Sequence, residues 1–106
     1  GFFENIVNNL NGFKIKKITV YPHKRLSLQS HNFRKEYWTC LSGTGYAEIG
    51  DENIKLEYGI NVFIDTCVKH RLNNSSDFNL EIIEIQLGTY LGEDDIIRYQ
   101  DDYQRI

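Results

Sequence analysis

The chain has 106 residues, enough for one domain with its own core, and its seven Tyr, six Phe, one Trp and frequent β-branched residues favour strands over helices. Its net charge of −3 and its scattered basic residues argue against a nucleic-acid-binding protein. No apolar run approaches the roughly 20 residues of a membrane-spanning helix. We therefore expect an all-β domain with no nucleic-acid or membrane partner, which binds a small molecule or another protein.

Alternating apolar and polar residues predict the strands in chain order, beginning with FKIKKITVY at residues 13–21, which Pro22 ends. Further candidate strands cover residues 25–31, 36–42, 45–49, 53–58, 61–64, 70–73 and 78–87. Turn signals separate them, such as SGTG at residues 42–45 and NNSSD at residues 73–77. Many short strands at this spacing predict a β-sandwich or barrel.

The end of the chain breaks this pattern. GEDDIIRYQDDY, at residues 92–103, carries its acids where the first turn of a helix would lie. We predict a short C-terminal helix that packs on the rim of the barrel.

The cysteines and the start of the chain bear on its cellular context. Cys40 and Cys67 lie far apart without a CxxC spacing, which favours reduced thiols in a cytoplasmic protein over a disulfide framework. The sequence contains no methionine, so we expect that processing, a tag remnant or excision from a longer protein set its first residue. Residues 1–106 are expected to form a single domain.

The stretch LSLQSHNFRKEYW, at residues 26–38, concentrates residue types that bind metal ions. Gln29 and His31 would project from the same face of a strand, and a hairpin return would bring Glu36 towards them. His70, in VKHRLNN, is the natural fourth group from a distant strand. Two imidazoles, an amide oxygen and a carboxylate suit a divalent ion such as Zn, Mn, Fe, Co or Ni. The spacing alone also fits a simpler interpretation, in which these are polar residues of a strand and a turn.

The full spacing resembles that of the cupin domains. Their first motif is Gly, five residues, His-x-His, three or four residues, Glu, six residues and Gly; here the same register places His23, Gln29, His31, Glu36 and Gly43. Their second motif is Gly, five residues, Pro-x-Gly, two residues, His, three residues and Asn; here it places Gly59, Asp65, Cys67, His70 and Asn74. The resemblance implies a cupin-type double-stranded β-helix, that is, a jelly-roll barrel.

More specifically, the chain resembles the C-terminal cupin of the type II mannose-6-phosphate isomerases, which often follows a mannose-1-phosphate guanylyltransferase domain. The matching segments include GFKIKKITVYP, LSLQSH, LSGTG, VKHRLNN and LEIIEIQLGTYLGEDDIIR. The resemblance implies that Gln29, His31, Glu36 and His70 are metal ligands. It also implies isomerisation of fructose 6-phosphate to mannose 6-phosphate, a divalent metal with Zn as the first choice, and a fused or associated nucleotidyltransferase.

Such a reaction moves a proton between C1 and C2 of a sugar phosphate through a cis-enediol, so it needs a base and positive charge for the phosphate. Arg34, Arg71 and Arg98 are the candidates for the phosphate, because guanidinium matches phosphate oxygens. The resemblance points most to Arg34 and Arg98, although either could pair with the local acids Glu93, Asp94 and Asp95 instead. Glu84, which shares a strand face with Gln86, is the first choice of base; Glu93 is the second and is also a candidate for substrate binding.

Two positions depart from the family pattern, because Phe33 and Tyr37 stand where the family has histidines. We expect them to make the pocket mouth more aromatic and to remove any help that those histidines give to proton transfer. The alternative function is therefore a non-catalytic sugar- or metal-binding module, accessory to a sugar-nucleotide enzyme. Fold analogy also predicts a homodimer that pairs through its sheets.

Overall fold

The computed structural model describes residues 1–9 and 12–100, and these residues form eleven strands and no helix. The strands are β1 (Phe2–Asn9), β2 (Phe13–Val20), β3 (Lys24–Arg25), β4 (Leu28–Ser30), β5 (Arg34–Ser42), β6 (Gly45–Ile49), β7 (Glu52–Leu56), β8 (Asn61–Ile64), β9 (His70–Asn74), β10 (Leu80–Gly88) and β11 (Ile97–Gln100). Over the same residues, no helix is long and apolar enough to cross a membrane.

The strands form two antiparallel sheets that enclose one core. Sheet A has the order β1-β2-β10-β5-β8, and sheet B has the order β11-β4-β9-β6-β7, with β3 beside β9. Both sheets contribute buried apolar side chains: Ile18, Val20, Trp38, Cys40, Ala47, Leu56, Val62, Ile64, Leu72, Leu80 and Ile82. Burial of each large side chain in this set stabilises the fold by roughly 1.5–3 kcal/mol.

The space between the sheets is apolar at one end and polar at the other. Alternation on β5 turns inward Arg34, Glu36, Trp38 and Cys40. Alternation on β10 turns inward Leu80, Ile82, Glu84 and Gln86. The register of the two strands sets Cys40 opposite Ile82, and Glu36 opposite Gln86. The apolar halves of both strands therefore build the core, and their polar halves build a pocket at one end of it.

Two residues, Gly43 and Asn74, fix turns at the apolar end. Gly43, in the turn between β5 and β6, has φ +81°, and a Cβ there would lie 2.3 Å from the carbonyl oxygen of Asn79. The fully buried Asn74 amide lies within 2.9 Å of the Val20 carbonyl and 2.7 Å of the Phe78 carbonyl. Both residues occupy cupin motif positions, and both have a structural role here.

The predicted strand order is confirmed from β2 to β10, with 25–31 divided into two short strands, while β1 and β11 were not predicted. The C-terminal helix is wrong over residues 92–100. Residues 97–100 form β11, which pairs with β4 and sets Arg98 opposite Gln29. The acids that suggested a helix start instead bind other parts of the chain, as described below. Residues 101–103 of the predicted helix lie outside the described residues.

Candidate metal centre

Three buried side chains converge at the polar end of the barrel. His31 follows β4, Glu36 lies on β5, and His70 begins β9. Two imidazole nitrogens and one carboxylate oxygen of this set all lie within 4.8 Å of one another. Glu36 Oε2 lies 3.2 Å from His31 Nε2, and Glu36 Oε1 lies 3.7 Å from His70 Nε2. Because β5 belongs to sheet A and β4 and β9 to sheet B, the set exists only when the two sheets close on each other.

Backbone carbonyls orient both imidazoles. His31 Nδ1 lies 2.5 Å from the carbonyl oxygen of Asp95, and His70 Nδ1 lies 2.9 Å from that of Val68. A carbonyl oxygen only accepts, so each Nδ1 carries the proton and donates it. Each Nε2 is then unprotonated, and each lies near a Glu36 oxygen. This is the arrangement by which outer partners fix the tautomer of metal-binding histidines.

The protonation state of the two imidazoles also suits a metal ion. Burial, helped by the positive charge of Arg34, lowers the pKa of His31 to about 4. Burial likewise lowers the pKa of His70. Both rings are therefore neutral at pH 7, and the neutral form is the one that binds metal. Two unprotonated imidazole nitrogens with one carboxylate fit a divalent cation.

Arg34 and Trp38 hold the Glu36 carboxylate in place. Arg34 Nε donates to Glu36 Oε2 at 2.8 Å, and Arg34 Nη2 donates to His31 Nε2 at 3.0 Å. Trp38 Nε1 donates to Glu36 Oε1 at 3.1 Å. The guanidinium thus supplies positive charge beside Glu36 and uses a lone pair that a metal ion would need. Binding of an ion at His31 Nε2 requires Arg34 to give up that hydrogen bond.

Gln29 lines the same cavity, whose volume is about 340 Å³. On β4 it stands directly opposite His70 of β9 on one side and opposite Arg98 of β11 on the other. Its Nε2 donates to Ser27 Oγ at 2.8 Å, which leaves the amide oxygen as the atom for a metal ion. The structure therefore brings all four predicted ligands to one cavity.

Glu84 is a second buried carboxylate in the cavity wall. It accepts a hydrogen bond from Trp38 Nε1 at 3.2 Å and another from Gln86 Nε2 at 2.8 Å. The indole N–H of Trp38 therefore donates to both Glu36 and Glu84. Burial, followed by the negative charge of Glu36, raises the pKa of Glu84 to about 8. The inward orientation predicted for Glu84 is found in the structure.

The three candidate arginines differ in their surroundings, although all line the cavity. Arg34 is bound to the Glu36 and His31 pair. Arg71 is buried, and its Nε lies 3.2 Å from Glu48 Oε2. Arg98 is exposed on β11, and within the described part of the chain no ion pair engages it. The alternative pairing of Arg98 with the neighbouring acids is thus not seen.

Comparison with known proteins gives the family. Residues 1–101 match the family model described as mannose-6-phosphate isomerase C-terminal. The chain belongs to this family. The xanthan biosynthesis protein XanB of Xanthomonas campestris pv. campestris (strain B100) is 47% identical over 93 residues, which cover 88% of this chain and 20% of that protein. The alginate biosynthesis protein AlgA of Pseudomonas aeruginosa is 46% identical over 88% of this chain and 19% of its own length. A mannose-1-phosphate guanylyltransferase of Escherichia coli is 42% identical over 88% of this chain and 20% of its own length.

The chain therefore spans about a fifth of the length of these curated relatives.

Comparison with solved structures gives the fold. A double-stranded β-helix protein from Klebsiella pneumoniae superposes with a TM-score of 0.81 at 14% identity, covering 94% of this chain and 84% of that one. A Cupin 2 conserved barrel domain protein from Salinispora arenicola gives 0.71 at 14% identity, covering 80% and 73%. The cupin-type barrel expected from the motif spacing is confirmed.

Phe33 and Tyr37 stand where the mannose-6-phosphate isomerase family has histidines. They do not make the pocket mouth more aromatic, so that expectation is wrong. Tyr37 lies on the outer face of sheet A, with its ring centroid 4.9 Å from that of Phe63. Phe33 is exposed and packs edge-on against Tyr90 at 6.3 Å. Neither Phe33 nor Tyr37 is among the described residues that line the cavity. Alternation on β5 turns Tyr37 away from the site because its neighbours Glu36 and Trp38 face inward.

Two residues of the site were not predicted from the sequence. Asp95 is buried, and its carboxylate accepts the backbone N–H groups of Asn32 at 2.9 Å and Phe33 at 3.0 Å while its own carbonyl holds His31. Lys16 is buried on β2 and lines the cavity. The segment LGEDDIIR, part of the family resemblance, was the signal for Asp95. For Lys16 the signal was its place two residues before the inward-facing Ile18.

Proposed function

We propose that this chain is the isomerase module of a metal-dependent sugar-phosphate isomerase of the mannose-6-phosphate isomerase type. The reaction would interconvert fructose 6-phosphate and mannose 6-phosphate through a cis-enediol. The observation that carries this proposal is the buried set of His31, Glu36 and His70 in a cavity that Arg98 also lines. Membership of the mannose-6-phosphate isomerase C-terminal family supports it.

The cofactor in this proposal is a divalent metal ion held by Gln29, His31, Glu36 and His70. Zn is our first choice, with Mn, Co, Ni or Fe as alternatives, because the donors are two imidazoles, one amide oxygen and one carboxylate. With a single carboxylate among its ligands, a bound divalent ion would keep positive charge to polarise the sugar carbonyl and stabilise the developing oxyanion.

The chain's own residues would bind the sugar phosphate and move its proton. We propose the ionised form of Glu84 as the base between C1 and C2, since Glu84 lines the cavity and Trp38 ties it to Glu36. A divalent cation on Glu36 would offset the negative charge that helps to raise the pKa of Glu84, and so would favour this form. A positioned base of this kind typically contributes roughly 10²–10⁴-fold in rate. Arg98 is the first choice for the phosphate because no described acid pairs with it.

Two further arginines and one acid complete the proposed substrate site. Arg34 would serve the substrate once its hydrogen bond to His31 is released. Arg71 is a weaker phosphate candidate because Glu48 already engages it. Glu93, which lines the same cavity, would act on substrate binding indirectly, as the carboxylate that holds Lys16 before the phosphate arrives.

The test is turnover by the longer protein that carries this domain. The protein is stripped with a chelator, reloaded separately with Zn, Mn, Co or Ni, and supplied with fructose 6-phosphate in D₂O. We expect mannose 6-phosphate with solvent deuterium at C2 in at least one metal-loaded sample, and none after His70→Ala. Absence of turnover with all four metals would contradict the isomerase proposal.

The alternative is a non-catalytic sugar- or metal-binding module accessory to a sugar-nucleotide enzyme. This alternative is supported by the coverage of the relatives, because the chain matches only about a fifth of proteins such as a mannose-1-phosphate guanylyltransferase. The partner would then be a fused or associated nucleotidyltransferase. Titration of the metal-loaded protein with fructose 6-phosphate and mannose 6-phosphate separates the two functions. Binding without turnover would favour the accessory module.

The homodimer and the cytoplasmic location stay predictions. The outer face of sheet A carries a row of apolar residues on four adjacent strands, each directly opposite the next: Ile15, Ile85, Tyr37 and Phe63. A second copy would cover this row if the chain pairs through its sheets. Light scattering over a dilution series tests the homodimer, and a monomer at every concentration would contradict it.

A further inference from the structure

Lys16 is an almost fully buried lysine on the inner face of β2, with 3% of its surface exposed. Its Nζ lies 2.5 Å from Glu93 Oε1 and 4.0 Å from the centroid of the Phe3 ring, and all three residues line the cavity. The next residue, Lys17, points to the other face of sheet A and pairs there with Glu81 at 2.7 Å. Alternation along β2 therefore sends one of two adjacent lysines into the cavity and the other to the surface.

The acid that neutralises Lys16 is loosely held. Glu93 lies on the connection between β10 and β11, and 58% of its side chain is exposed. The same Glu93 oxygen lies 3.4 Å from Lys14 Nζ, so a second cation is already beside it. The buried Lys16 ammonium needs an anionic partner, but any anion that enters the cavity can take that place. Exchange of Glu93 for another anion at Lys16 would therefore cost the fold little and would leave Glu93 paired with Lys14.

The strand registers place Lys16 at a defined distance from the proposed metal ligands. Lys16 stands opposite Glu84 on β10, which stands opposite Trp38 on β5, the strand of Glu36. Two strand spacings, about 10 Å, thus separate the backbones of β2 and β5. In sheet B, Arg98 is likewise two strands from His70, with Gln29 between them.

The cavity wall therefore carries two kinds of group. Around Glu36 and His70 lie the imidazoles and carboxylate of the metal centre, and two strands away in each sheet lies a cation, Lys16 in sheet A and Arg98 in sheet B. A ligand that spans them has oxygens for a metal at one end and an anionic group several atoms away at the other.

We propose that Lys16 is an anion-binding residue of this cavity and that the phosphate group of the ligand displaces Glu93 from it. Lys16 and Arg98 together then form a phosphate site, and this site makes the protein select phosphorylated sugars over neutral ones. The identity of the sugar phosphate rests on the proposed function, but the anion site itself does not.

The experiment measures binding to the metal-loaded protein by calorimetry, with fructose 6-phosphate, fructose and inorganic phosphate as probes. Lys16→Gln removes the charge and Glu93→Gln removes the competing carboxylate. Lys17→Gln is the matched control because it removes a neighbouring charge on the opposite face. Metal stoichiometry is recorded for each variant, so a variant that fails to fold is recognised.

We expect Lys16→Gln to weaken binding of fructose 6-phosphate and inorganic phosphate by about ten- to a hundredfold, the effect of losing one charge-assisted hydrogen bond, without changing binding of fructose. Glu93→Gln should tighten both phosphate ligands severalfold, because the internal competitor is gone. Lys17→Gln should match the wild type. These opposite signs separate displacement from a purely structural ion pair, which would make both variants weaker.

Wild-type affinity in a folded Lys16→Gln variant, or weaker phosphate binding in Glu93→Gln, would overturn the proposal. Turnover with an unchanged KM in Lys16→Gln would reject the anion site and keep the isomerase. Lys16-dependent phosphate binding without turnover would keep the anion site and reject the isomerase.

Discussion

Removal of the Asp95 carboxylate tests how the segment before β11 supports the metal centre. Asp95 is 6% exposed, and its two oxygens accept the backbone N–H groups of Asn32 and Phe33, directly after His31. Its carbonyl accepts the Nδ1 proton of His31 at 2.5 Å. In Asp95→Ala the carbonyl is still present, but the anchor that fixes it against His31 is gone.

The expected cost follows from these contacts. Two hydrogen bonds from backbone N–H groups to a carboxylate are worth roughly 1.5–3 kcal/mol each. Because Asn32 and Phe33 are exposed, water recovers about half of this, and we expect a net loss of about 1.5–3 kcal/mol. A domain of this size has a stability of roughly 5–15 kcal/mol, so the variant folds, with a Tm lowered by roughly 10–20 °C. Loss of orientation at His31 should weaken metal binding by about 10–100-fold.

Thermal unfolding of the metal-free protein gives the first quantity, and a competition titration with Zn gives the second. Nitrogen-15 NMR of the histidine rings reports the tautomer of His31 directly. Asp94→Ala is the matched control, since Asp94 is exposed and its side chain bonds only to Tyr90 among the described residues. Asp95→Asn keeps one acceptor and should lie between wild type and Asp95→Ala. A lower Tm with unchanged Zn affinity and unchanged tautomer would refute the supporting role of Asp95.

Three further substitutions give distinct outcomes. Glu84→Gln should lower turnover of fructose 6-phosphate by about 10²–10⁴-fold while metal stoichiometry stays the same, and unchanged turnover would remove Glu84 as the base. Asn74→Ala should cost about 2–4 kcal/mol in chemical denaturation because it leaves buried carbonyls such as that of Val20 without their donor; a loss below 1 kcal/mol would contradict this. Tyr37→His restores the family residue but should change turnover less than about twofold, because this side chain faces outward. A large gain in turnover would show that position 37 acts on the site.

Much of the barrel follows from local rules. Strands β5 and β10 alternate strictly, so their inward faces, including Glu36 and Glu84, were predictable from a period of two. The same rule applied to Tyr37 would have placed it outside. The two strands that the sequence did not reveal, β1 and β11, are the outermost strands of their sheets at one end, and they are defined by pairing with β2 and β4 rather than by an alternating pattern.

The polar contacts of the site depend on tertiary structure and were harder to predict. The acids of GEDDIIR suggested a helix start, but Glu93 binds Lys16 and Asp95 caps residues 32–33, contacts between positions more than 60 residues apart. Motif spacing brought Gln29, His31, Glu36 and His70 together correctly as cavity-lining groups. Arg34 was predicted as a phosphate candidate, but the spacing did not indicate that its guanidinium hydrogen-bonds to both Glu36 and His31.

Titration of the chelator-stripped protein with Zn tests directly the claim that His31, Glu36 and His70 hold a divalent metal ion. We predict one ion bound per chain, with affinity reduced at least about 100-fold by His70→Ala, which removes a ligand from a fold that the rest of the core supports. A folded wild-type chain that binds no stoichiometric Zn, Mn, Co, Ni or Fe would contradict the claim.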